Sequence, residues 1–96
     1  MEEAAATAQR VHRAGLALGD AQASGISVGA WAKATAGSLP WAAIETELQN
    51  PPGDVHTRVE VLQAQALWLM AQDRIDEAVD VLLGADAYLD LSLIHI

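Results

Sequence analysis

Two stretches of helical apolar spacing lie close together in this chain, with only Gln72-Asp73-Arg74 between them. In the first, Val55, Val59, Leu62, Ala66 and Leu69 recur at helical intervals, widened by Val61, Trp68 and Met70, with Gln63, Gln65 and Gln72 on the polar side. In the second, Ile75, Ala78, Val79, Leu82, Leu83 and Leu89 form the apolar side, and Asp76, Glu77 and Asp80 occupy the N-terminal end, where the helix dipole favours anions. A break this short forces two amphipathic helices to run antiparallel. Their stripes must then face each other, which predicts an αα-hairpin.

Upstream, the same spacing predicts three more helices. Ala4, Ala8, Val11, Gly15 and Leu18 share a face from about Glu2 to Leu18, and Gly19-Asp20 ends that segment. Ser27, Ala30, Trp31 and Ala34 share the next face. Ser24 and Ser27 are its expected caps, Gly29 weakens it by roughly 1 kcal/mol relative to Ala, and Gly37 closes it, so it is expected to be short or frayed. A third segment is expected to start at the N-cap Ser38, with Pro40 in its first turn and Trp41, Ile44 and Leu48 as its stripe. Asn50-Pro51-Pro52-Gly53 stops it, and Asp54 caps the helix that follows. The expected class is all-α, with about five helices. Residues 1–50 are expected to form an N-terminal helical segment, residues 54–90 the hairpin and residues 91–96 a tail.

Composition narrows what such a chain can do. Ninety-six residues suffice for one small domain, and Ala is the commonest residue in the 52% apolar share while Phe is absent. A core of this kind is thin, so it is expected to lean on a neighbour or on a second copy through exposed helix faces. With no cysteine there is no disulfide, no thiolate metal site and no Cys nucleophile. The net charge is −8, and Arg10, Arg13, Lys33, Arg58 and Arg74 are the only basic side chains besides the histidines. That balance disfavours nucleic acid and anionic membrane surfaces. The acidic start Met1-Glu2-Glu3 lacks the pattern of a signal peptide, and no stretch approaches a bilayer span, so a cytoplasmic protein is expected.

Over residues 59–90 the spacing resembles the tetratricopeptide repeat, a helix–turn–helix unit of about 34 residues. Leu62, Ala66, Leu69, Ala78, Leu82 and Ala85 fall on its large and small positions in register. Gln72 to Ala78 is similar to its turn and second-helix opening, with Asp73 where Gly is usual, Gln65 where Leu is usual and Asp90 where the final Pro is usual. A fainter copy can be laid over Val11, Gly15, Leu18, Ser27, Trp31 and Ala34. The resemblance implies a fragment of an α-solenoid whose small alanines let paired helices cross closely, and whose inner helices present polar residues to a protein or peptide. Arg58, Gln63 and Gln65 are the candidate contacts. The final Leu91-Ser92-Leu93-Ile94-His95-Ile96 resembles the translation of a sequencing-library adapter. A non-native tail of metagenomic origin, on a truncated bacterial protein, is the corresponding expectation.

Little in the chain points to chemistry. His12, His56 and His95 show no metal-ligand spacing and are expected at surface or boundary positions. Gly25-Ile26-Ser27-Val28-Gly29 has the letters of a nucleophile elbow, but helical sequence precedes it where a strand is needed. The acids Asp73, Asp76, Glu77, Asp80, Asp86 and Asp90 read as a solvated helix face, although they would also suit a basic peptide. Trp31, Trp41 and Trp68 read as core. The function expected is a non-catalytic protein–protein interaction module without cofactor or metal. The alternative is a helical, non-catalytic segment of a larger enzyme or transcriptional regulator.

Overall fold

The computed structural model describes residues 2–51 and 53–94. Within them the chain is all-α, as the spacing predicts. It forms α1 (Glu2–Leu18), α2 (Ala21–Ala34), α3 (Trp41–Gln49), α4 (Val55–Ala71) and α5 (Ile75–Ile94). Helix α1 packs on α2, α2 on α4 and α4 on α5, while α3 is wedged against α2 and α4. The result is a slab of 37 × 33 × 21 Å. Leu91–Ile94 continue α5, whereas Pro52, His95 and Ile96 lie outside the described residues.

The break at Asn50–Asp54 does not divide the molecule into two cores. Val28, Ala32, Leu39, Ala43 and Ile44 before it and Ala64 after it form one buried cluster, with Trp31, Trp41, Leu48, Leu67 and Trp68 packed around it. Trp41 and Trp68 meet at 4.7 Å between ring centroids. The hairpin has a smaller cluster of Ala66, Leu69 and Ala78. Ala85 is also buried and Leu62 half-buried, but Leu82, expected in the seam, is 40% exposed. Helix α5 turns Ala78 and Ala85 inward, which leaves Ile75, Val79, Leu82 and Leu83 outside.

Small residues also govern α1. Its buried positions are Ala8 and Gly15 of the expected stripe together with His12, whereas Val11 and Leu18 of that stripe are 45% and 83% exposed. The reason is a close crossing: a Cβ on Gly15 would come within 2.8 Å of the Ser24 backbone nitrogen. Gly19, at φ +70°, ends α1.

Helix α2 starts earlier than expected and runs for 14 residues without a break. Its cap is Asp20, whose Oδ1 accepts from the Ala23 N–H at 3.0 Å. Neither Ser24 nor Ser27 serves as cap. Ser27 lies mid-helix, and its hydroxyl donates to the Ser24 carbonyl at 2.9 Å. Gly29 faces Glu60 of α4, where a Cβ would collide with the Glu60 side chain. The lost helix propensity is thus exchanged for a close α2–α4 approach. Helix α3 also departs from expectation: Pro40, not Ser38, holds the N-cap position, and no side chain caps it. Asp54 caps α4 as expected, its Oδ2 accepting from the Thr57 N–H at 2.9 Å and from the Thr57 hydroxyl at 2.7 Å.

Candidate functional site

The crossing of α1, α2 and α4 leaves a long concavity on the slab. Between α1 and α2 it forms a groove of about 870 Å³ with Ala4, Ala8, Val11, Ile26 and Ala30 on its walls and the acids Glu3 and Asp20 beside them. Ile26 and Ala30 also wall a second cavity, of about 610 Å³, bounded by Val59 and Gln63 of α4 and by Leu89 of α5. These shared residues place the two cavities side by side along α2. The polar groups of the second cavity include His56 and Lys33–Glu60, an ion pair at 3.2 Å.

Three positions apart make nearly a full turn, so residues 58, 62 and 65 share one side of α4 while 59 and 63 point elsewhere. Arg58 and Leu62 accordingly open onto a different pocket, of about 390 Å³, with Leu48, Val61, Val81 and Tyr88. The Arg58 guanidinium lies 5.1 Å from the centre of the Tyr88 ring. The three candidate contacts are not brought together: Gln63 lines the 610 Å³ cavity, Arg58 lines the 390 Å³ pocket, and Gln65 is half-buried.

A buried polar brace joins α1, α2 and α3, and nothing in the helical stripes announced it. Glu47, 2% exposed, accepts from the Ser24 hydroxyl at 2.8 Å. His12, 5% exposed and so not at the surface, places Nδ1 3.2 Å from the Ser24 carbonyl oxygen and its ring 5.9 Å from that of Trp31. A carbonyl oxygen only accepts, so Nδ1 is the protonated nitrogen in this contact. The Ser24 hydroxyl is directed to Glu47 and that of Ser27 to a carbonyl; neither donates to the imidazole. These residues tie helices together rather than form a nucleophile–base relay. The faint signal was the position of Glu47, between Ile44 and Leu48 on the apolar side of α3.

The letters Gly25 to Gly29 lie inside α2, far from any strand-to-helix turn. Asp20 lines the long groove, while His12 does not. Among the described residues no group of three or more His, Asp or Glu is placed to hold a metal ion, and no helix is long and apolar enough to cross a membrane. The Asp54 carboxyl is held below its ordinary value of 3.8, first by the Thr57 hydroxyl and then by the Thr57 N–H. No family model, curated protein or solved structure matches the chain.

Proposed function

We propose that this chain is a non-catalytic protein–protein interaction module that receives a peptide or helix in the groove across α1, α2 and α4. The observation that carries the reading is that two apolar-walled cavities adjoin along α2. Ile26, 46% exposed, and Ala30 wall both cavities. Concavities with apolar walls and a few polar groups at their margins are where peptides and partner helices dock. Recognition here is by shape: apolar side chains of the guest cover Val11, Ile26 and Val59, and Gln63 and the groove acids set its orientation. The tetratricopeptide-like hairpin of α4 and α5 supports the wall and is compatible with a solenoid scaffold.

The test is selection of peptides from a displayed library on the intact chain, followed by binding measurements on the Ile26→Asp variant. Peptides that bind the parent and lose roughly tenfold or more on the variant support the groove. Selected peptides indifferent to Ile26 would remove it as the binding surface.

A second reading has its own observation. Apolar side chains are exposed at both lateral edges of the slab, Leu16 and Leu18 on α1 and Val79 and Leu83 on α5. Open edges of that kind suit a helical segment packed within a larger enzyme or regulator, and the same library would then yield no groove-directed peptide.

A further inference from the structure

Because α5 presents Ala78 and Ala85 to the hairpin, four of its larger apolar residues face outwards. Ile75, Val79, Leu82 and Leu83 follow one another at helical spacing on the outer side and are 49%, 47%, 40% and 63% exposed. They make a stripe about 12 Å long at 1.5 Å per residue. The exposed acids Asp76 and Asp80 run along one flank, and Asp86, also exposed, lies in line with the stripe one turn beyond Leu82 and Leu83. Helix α5 contains no Lys, Arg or His. Arg74, just before α5, is paired with Glu77 and lies 5.9 Å from the Trp68 ring centre, and Arg58 lies over Tyr88.

We propose that this outer face of α5 docks a basic amphipathic helix of a partner protein, with apolar anchors over Val79 and Leu83 and Lys or Arg side chains against Asp76, Asp80 and Asp86. Charge selects this occupant over a second copy. Two copies joined through the same face bring acids towards acids, with no cation on α5 to relieve them. A basic helix instead pairs its charges with this flank and gains encounter rate from the net charge of −8. The proposal builds on the reading of the chain as an interaction module but uses a surface apart from the groove at Ile26.

The experiment uses the full chain and two synthetic helical peptides of roughly four turns. Both carry the same Leu stripe; one is flanked by Lys and the other by Glu. Fluorescence anisotropy is expected to show binding of the Lys peptide and little of the Glu peptide, with the affinity lost near 1 M salt, where the screening length is about 3 Å. The Val79→Asp and Leu83→Asp variants are decisive. Each adds negative charge, so unspecific attraction predicts tighter binding of the Lys peptide, whereas docking on the stripe predicts binding roughly tenfold weaker. Thermal melts check that these surface changes leave the fold intact. The Ile26→Asp variant keeps this binding and so separates it from the groove. Equal binding of both peptides, or unchanged binding by Val79→Asp, overturns the proposal. So does sedimentation showing a dimer that Val79→Asp dissociates, since the stripe is then occupied by a second copy.

Discussion

The hydroxyl of Ser24 donates to the carboxylate of Glu47 at 2.8 Å, and both side chains are buried. They come from α2 and α3, 23 positions apart, and the carbonyl of Ser24 also meets His12 of α1. One residue thus joins three helices. Replacing Ser24 by Ala leaves a buried carboxylate without this donor, and the penalty for an unsatisfied buried group is about 1–3 kcal/mol. Urea denaturation of the Ser24→Ala variant is expected to show a loss of that size. A change below a few tenths means the brace contributes nothing to stability.

Ala36 sits at φ +52°, in the left-handed region that a side chain disfavours. It follows α2, where the Ala36 N–H reaches the Lys33 carbonyl at 3.4 Å and the Gly37 N–H donates to the Ala32 carbonyl at 2.8 Å. Glycine at position 36 removes the steric penalty, roughly 1–2 kcal/mol, and gives back roughly 0.5–1 kcal/mol through the freer unfolded chain. The Ala36→Gly variant should therefore melt a little higher than the parent. A lower melting temperature would mean that the backbone at this turn is not strained.

The helices were legible because apolar spacing and strong stops coincide: Gly19, Gly37, Asn50 with Pro51, and the Gln72–Arg74 break each fall at a helix end. What lay beyond the pattern was which face each helix turns inward. The largest apolar side chains mark a buried stripe only where helices are far enough apart to hold them. Helices α1 and α5 come close to their neighbours through Gly15, Ala78 and Ala85, so Val11, Leu18, Val79 and Leu83 end on the outside. For the same reason Gly29, a weakness in an isolated helix, marks the approach of α4. The long groove was invisible for a further reason. Its walls come from α1, α2, α4 and α5, and only Gln63 of the candidate contacts reaches it. A single helical stripe carries no information about a surface assembled from four.

Ala78 is 1% exposed and packs with Ala66 and Leu69 in the cluster that closes α4 on α5. Leucine at this position needs volume that the crossing does not have, and overpacking of this kind costs roughly 1–3 kcal/mol. The Ala78→Leu variant should show this loss in chemical denaturation while retaining helical circular dichroism. The same substitution at exposed Ala87 is the control and should change stability little. Equal stabilities for the two variants would remove Ala78 from the hairpin seam.

The cap at Asp54 gives stability a definite dependence on pH. Its carboxyl is held below 3.8 by the Thr57 hydroxyl and the Thr57 N–H, both of which favour the ionised form. A carboxyl depressed in the folded state binds fewer protons there than in the unfolded chain, so its contribution is complete above the ordinary value. It declines as pH falls below about 3.8 and through the lower folded value. Asp54→Ala removes the cap at every pH, and the parent should melt higher than the variant at neutral pH. That difference should stay constant down to the ordinary carboxylate range and shrink below it, as protonation weakens the acceptor. Thermal melts of both proteins across this range measure the gap directly. A gap that widens on acidification would mean that the protonated carboxyl is the better cap, contrary to the Thr57 geometry.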